Sequence, residues 1–194
     1  MPGEHPLAII HHGVDREQFT FRPQPEEYLF YLGRFTPGKG PVQAIAAARA
    51  VGMRLVLAGP RNDYYSTSVE PLVDGQSVEY AGSVTGAERN RLLGGARVLL
   101  YPIQEPEPFG LVPVEAMMCG TPVVATRLGA IPEIIEEGVS GYCADSAQDL
   151  PQLVARSLTL DRRRIRERAE VRFSGERMAR DYAELYGRLA GGGL

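Results

Sequence analysis

The chain has 194 residues, 44% of them hydrophobic and 23% charged, with a formal net charge of −3. That length holds one domain, or one with a small appendage, and it is long enough to bury a sizeable core. The slight acidity gives no support to a nucleic-acid partner, and there is no run of about 18 apolar residues that would span a membrane.

Leu7–Ile10 is a short apolar run ending in the turn His12-Gly13-Val14-Asp15. Tyr28–Leu32 reads as a continuous apolar strand, followed by the segment Gly33–Gly40 and a helix from Pro41 to about Val51. Leu55–Ala58 is the next strand, ended by Gly59-Pro60, and a helix with Tyr64, Val69, Leu72 and Val73 on one side follows. Val78–Tyr80 is a strand. Thr85–Gly94 reads as a helix capped by Thr85, with Glu88 completing a capping box. Val98–Tyr101 is a strand, then a loop holding Glu107 and a helix from Gly110 to Cys119. Thr121–Ala125 is a strand, Ile131–Glu136 a short helix, and Gly141–Cys143 a short extended piece. From Ser146 onward strands cease, and three helices are predicted at about Ala147–Leu158, Asp161–Arg172 and Gly175–Leu189. The tail Gly191–Leu194 reads as frayed.

Near-continuous apolar strands separated by helices predict a parallel sheet covered on both faces. The expected fold is α/β: a Rossmann-like doubly wound domain with a helical extension over about 146–194. In such sheets ligands bind at the carboxyl ends of the strands. The segments Gly33–Gly40 and Glu105–Gly110 both follow strands directly, so they could share one rim.

Pro113 is tolerated only in the first turn of a helix, so that helix begins within a residue or two of Gly110. The amides of Phe109, Gly110 and Leu111 then have no helical acceptor and carry the positive end of the dipole. An anion fits there, and Gly110 lets it come close to the backbone. Glu115 lies about one turn deeper, roughly 6 Å along the axis, which is about the distance of a ribose from its own pyrophosphate. Glu107 flanks the other side. Taken alone, the two acids would also suit a solvated loop and a helix start favoured by the dipole.

Gly33-Arg34-Phe35-Thr36-Pro37-Gly38-Lys39-Gly40 has the outline of a P-loop, but Gly40 stands where Ser or Thr would hold Mg²⁺, so that reading is rejected. What remains is a loop projecting Arg34 and Lys39, the only lysine in the chain. Two cations beside a helix start suit a diphosphate held without a metal, and they can stabilise it as a leaving group. A solvated basic surface loop is the alternative. The run Arg162–Arg168, interleaved with an acid, reads as a solvated helix face. Cys119 and Cys143 lack metal-ligand spacing and read as small core residues in a reducing compartment. No chemical role is assigned to His11 or His12.

Glu107 and Glu115, with the following Ala116-Met117-Met118-Cys119-Gly120-Thr121-Pro122-Val123, resemble the donor-site signature of retaining GT-B glycosyltransferases, in particular glycosyltransferase family 4. Gly33-Arg34 with Lys39-Gly40, the turn at His12–Asp15 (His12 where the family has Asn), Gly82-Ser83-Val84 and Gly129-x-x-Pro132-Glu133 are similar to further family segments. The likeness runs from about Leu7 to Leu189, over the C-terminal half of such an enzyme.

The resemblance implies a nucleotide-diphosphate sugar as substrate and transfer of the sugar to an acceptor hydroxyl, with retention and without a metal or cofactor. Arg34, Lys39 and the amides of Gly110 and Leu111 would hold the diphosphate, beside Phe109 and Gly33. Glu115 would bond the ribose, backbone around Val84 would read the base, and Glu107 would orient the sugar. With Arg34 and Lys39, Glu107 makes up the expected catalytic set. Glu133 would order a helix start. The N-terminal acceptor domain would be absent, leaving a single donor-binding domain, 1–194, as a truncated piece or a lone domain, inactive in transfer alone.

The apolar positions of the last helix, Met178, Tyr182, Leu185, Tyr186 and Leu189, would then have lost a partner, although packing on their own domain is simpler. A cytoplasmic location is expected, with peripheral attachment at the inner membrane open for the full-length protein. Two other functions stay open: a non-catalytic nucleotide-sugar-binding module and a GT-B nucleotide-sugar epimerase.

Overall fold

The computed structural model describes residues 8–191, so Leu7 and residues 192–194 lie outside the described residues. Strands β1 (Leu29–Leu32), β2 (Leu55–Ala58), β3 (Val78–Tyr80), β4 (Val98–Tyr101), β5 (Val123–Thr126) and β6 (Gly141–Ala144) form one sheet in the order β3-β2-β1-β4-β5-β6. Every pairing is parallel. This is the doubly wound arrangement expected: the chain builds outward from β1 through β2 and β3, then returns to build outward the other way from β4.

Because strand side chains alternate, β1 feeds both covered faces. Leu29 and Tyr31 enter one core with helices α1 (Pro41–Val51) and α5 (Leu150–Ser157). Phe30 and Leu32 enter the other, with α2 (Gly86–Gly95), α3 (Leu111–Met118), the short α4 (Ile131–Ile134) and α6 (Arg162–Phe173). A last helix, α7 (Gly175–Ala190), follows Ser174, whose hydroxyl accepts from Arg177 N.

The strands β2, β3 and β4 and helix α1 match their predicted bounds. Other elements differ for identifiable reasons. The helix expected after β2 breaks into a π-helical turn, Tyr65–Val69, and a 3₁₀ turn, Glu70–Leu72; Pro71 has no N–H to continue it. At the start of α2 the capping box does not form. Thr85 makes no side-chain cap bond, and Glu88 instead accepts from Arg91 at 3.0 and 2.9 Å. Ser146 and Asp149 form a capping box that the sequence reading did not assign.

The arginine run is not simply a solvated face. Arg162 is buried and donates to the carbonyls of Arg22 (2.8 Å), Ala96 (2.9 Å) and Gly94 (2.6 Å), and to Thr121 Oγ1 (2.9 Å). Arg166, one turn on, donates to Phe19 O and Met118 O. Helical spacing places both on the face that buries Ile165 and Ala169, so only the intervening Arg163, Arg164 and Glu167 are solvated.

Packing of α7 on its own domain holds only in part: Met178 and Leu185 are half-buried, but none of its residues is fully buried, and Tyr182 and Tyr186 are 40% and 62% exposed. Its first turns alone are tied down. Arg177 donates to His11 O at 2.7 Å, and Gly13 N donates to Met178 Sδ. None of the described helices is long and apolar enough to cross a membrane.

Candidate functional site

The switch point of the sheet lies between β1 and β4, and the loops leaving their carboxyl ends lie against each other. Gln104 N donates to Gly38 O at 2.8 Å. A Cβ on Gly38 would stand 2.5 Å from the Glu105 carboxyl carbon, and one on Gly40 would stand 1.9 Å from Pro102 O. Gly40 also has φ +67°, a left-handed conformation that glycine adopts without steric cost. The two segments singled out in the sequence therefore do share one rim, and the glycines permit that approach.

Across this contact Lys39 Nζ donates to Glu107 Oε2. The same oxygen accepts from Tyr101 Oη at 2.9 Å. Tyr101 ends β4, and burial together with the Glu107 carboxylate raises its phenol pKa, so it remains a donor. The Glu107 backbone is held from the far side. Its carbonyl accepts from Ala130 N at 2.9 Å, and a Cβ on Gly129 would stand 2.3 Å from that oxygen. The turn resembling Gly-x-x-Pro-Glu thus buttresses Glu107. Glu133 lies in the first turn of α4, as expected, and pairs with His11 Nε2 at 3.1 Å.

Helix α3 starts where Pro113 requires, with Gly110 as its N-cap at φ 105° and no side chain capping it. Among the described residues the amides of Phe109, Gly110 and Leu111 donate to no protein acceptor. Leu111 is 48% exposed. Phe109 is buried instead, its ring 5.0 Å from that of His12, 5.9 Å from His11 and 6.0 Å from Phe173. His11 and His12 therefore pack the aromatic floor beneath the helix start. Arg34 stands apart from these pairings: among the described residues its guanidinium forms no hydrogen bond or ion pair, and it is exposed.

Beside the rim is a slot of about 350 Å³ whose lining includes Gly33, Gly59, Pro60, Val84, Arg89 and Val112. Gly33 and Val84, nominated from different loops, thus face one cavity. Its walls press close, since a Cβ on Gly59 would stand 2.0 Å from Gly33 O. Glu115 is 6% exposed and accepts from Arg89 Nη2. Burial lowers the Arg89 pKa. A second cavity of about 340 Å³ lies beyond the other end of the sheet, among Phe21, Arg97, Pro122 and Asp161, away from all of these groups. Among the described residues no three His, Cys, Asp or Glu side chains are grouped to hold a metal ion.

The sequence reading passed over Tyr101 and Arg89, and it named Gly129 only as part of its turn. Each of the two had a faint signal: a tyrosine at a strand's carboxyl end, and a cation in the first turn of a helix against its dipole.

The Glycosyl transferases group 1 family matches residues 15–172. Among curated relatives, D-inositol 3-phosphate glycosyltransferase of Mycobacterium marinum is 31% identical over 170 residues, 77% of this chain and 36% of that protein. The Mycolicibacterium smegmatis protein of the same name is 32% identical over 158 residues, 72% of this chain and 36% of its own length. The chain therefore spans about a third of the curated relatives it matches.

Among solved structures, AviGT4, a glycosyltransferase involved in avilamycin A biosynthesis, superposes with a TM-score of 0.82 at 30% identity, covering 95% of this chain and 58% of that one. Anabaena Alr3699/HepE, crystallised with UDP and glucose, shares the fold at a TM-score of 0.78 and 23% identity, over 93% of this chain and 56% of its own. The matched span holds the whole sheet, both rim loops and the slot, and the chain belongs to the group 1 glycosyltransferases.

Proposed function

We propose that the chain is the donor-binding domain of a family 4, retaining, metal-independent glycosyltransferase, and that its ligand is a nucleotide-diphosphate sugar. The observation that carries the reading is the meeting of the two loops at the switch point, where Lys39 pairs with Glu107 just before the uncapped start of α3. The slot receives the base, against the backbone of Val84 and Gly33. Glu115 accepts from the ribose hydroxyls, and the amides of Gly110 and Leu111 hold the diphosphate at the positive end of α3. Lys39 exchanges Glu107 for a phosphate oxygen, and Arg34 closes from the same loop. Glu107, released from Lys39 but still held by Tyr101, orients the sugar through a hydroxyl.

In the transfer step the bond between the anomeric carbon and the diphosphate oxygen breaks, and a bond from that carbon to the acceptor oxygen forms on the same face. The departing diphosphate takes the acceptor's proton, so no protein nucleophile is involved, and the two cations and the amides stabilise the charge that develops on it. No cofactor or metal is used. The acceptor is held by a further domain that this chain does not contain; support comes from the partial coverage of the relatives and from the exposed Tyr182–Tyr186 face of α7. Such a donor domain works in the cytoplasm, where nucleotide sugars are available, with peripheral attachment at the inner membrane in the full-length protein.

Calorimetric titration with UDP, GDP and ADP and their glucose conjugates tests the reading. Binding of at least one, weakened by Glu115→Ala and by Lys39→Ala, is expected; no binding of any contradicts it.

A further inference from the structure

Arg89 is placed where helix physics alone would not put it. It lies in the first turn of α2, where the dipole disfavours a cation, and its guanidinium is partly withdrawn from water, which lowers its pKa. Its one hydrogen-bonded partner among the described residues is Glu115. The Glu115 side chain is buried, 9% exposed, on a helix whose neighbouring side chains are apolar. A carboxylate so buried is unstable as an anion unless paired, and it takes up a proton instead.

The other ionisable groups near that end of α3 do not supply the charge. Cys119 is a neutral thiol, its pKa pushed up to about 12 by burial. Arg162 and Arg166, on the packed helix α6, bond main-chain carbonyls, and Arg22 pairs with Glu26. Arg89 also lines the slot that holds Gly33 and Val84, so it links the wall of that slot to the Glu115 carboxylate it pairs with.

We propose that Arg89 is the positioning residue of the ribose site: its guanidinium keeps the Glu115 carboxylate charged and turned to the slot, ready to accept from a ribose diol. The proposal rests on the donor-site reading above. A diol that donates two hydrogen bonds stabilises the anionic carboxylate over the acid, so ligand affinity follows the ionisation of Glu115. With Arg89 beside it the carboxylate keeps its charge, and affinity is expected to stay level across the pH range tested.

The test measures the affinity of the 194-residue chain for UDP-glucose, GDP-glucose and ADP-glucose at pH 6, 7 and 8. These probes have no phosphate that titrates in that range, so a pH effect reports the protein. The unmodified chain is expected to change less than about twofold with its preferred probe. Arg89→Leu is expected to bind several-fold more weakly at pH 6 than at pH 8, because the buried carboxyl, left without its cation, takes up a proton across that range. Arg89→Lys restores most of the flat profile by keeping a charge beside the carboxylate.

In Arg89→Leu combined with Glu115→Gln, which has no titrating carboxyl, the dependence disappears. Arg89→Gln, which keeps an amide donor without the charge, serves if the leucine variant is unstable, and the same slope is expected of it. Flat profiles in Arg89→Leu and Arg89→Gln overturn the proposal while leaving the donor site standing. Failure of the unmodified chain to bind any of the three overturns the donor-site reading itself.

Discussion

Lys39 and Glu107, from loops leaving adjacent strands, are joined in a direct ion pair. Each is the other's ion-pair partner, with Tyr101 bonded to the same carboxylate oxygen. On the proposed reading, a phosphate arriving at Lys39 would free Glu107 at the same moment and so couple the diphosphate end of the site to the sugar end. Lys39→Ala is expected to reduce nucleotide-diphosphate affinity about tenfold, the scale of one charge-assisted hydrogen bond. Glu107→Gln, which removes the competitor for Lys39, is expected to hold or raise the affinity for the bare diphosphate. Calorimetry with the preferred diphosphate checks both; a Glu107→Gln variant as weak as Lys39→Ala would show that the pair is not exchanged on binding.

Gly40 joins the two loops, and Gly40→Ala tests that contact. The added Cβ would collide with Pro102 O at a backbone angle costly for any L side chain. A loss of about 2 kcal/mol or more is expected, visible as a fall of roughly 5 °C in Tm, with weaker diphosphate binding as the loops part. An unchanged Tm would mean the loops yield at no cost.

Arg162 fastens α6 to the loops at the amino ends of the strands. Arg162→Leu would leave the carbonyls of Gly94, Ala96 and Arg22 without their buried donor, each worth about 1–3 kcal/mol, so thermal unfolding should come roughly 10 °C earlier. Arg162→Lys should recover little, since an ammonium cannot span three carbonyls as a planar fork does. Tm and urea midpoints of the two variants measure this.

The two thiols give a pH signature. Burial pushes Cys119 up to about 12 and Cys143 up to about 11, against about 8.5 for an unfolded cysteine. The folded chain thus holds these protons more tightly than the unfolded one. Their contribution is intact below about pH 8.5 and is lost as pH rises toward the folded values, at up to about 1.4 kcal/mol per pH unit for each thiol. Tm should fall between about pH 8.5 and 10, less steeply in the Cys119→Ala, Cys143→Ala double variant. At pH 8 neither thiol should react with a thiol-directed probe until the chain unfolds.

Most of the frame was legible because parallel strands buried on both faces leave uninterrupted apolar runs, as in Leu55–Ala58 and Val98–Tyr101. Pro113 located the start of α3 for an equally local reason. What escaped was set by tertiary neighbours. The carbonyls that Arg162 satisfies are 66 and 68 positions distant, so its sequence context resembled an ordinary solvated helix. Tyr101 and Arg89 were hidden for the same reason, since each acts on a glutamate that only the folded chain brings to it. In α7 the apolar spacing was visible, but not that the described residues would leave Tyr182 and Tyr186 uncovered.

The central claim is that one crevice at the β1–β4 switch point binds the diphosphate and ribose of an activated sugar. Titrating UDP, GDP and ADP into the unmodified chain, Glu115→Ala and Lys39→Ala tests it most directly. Saturable binding of at least one diphosphate, weakened about tenfold or more in each variant, is the predicted result. Binding of equal strength in all three proteins, or none in the unmodified chain, would contradict it.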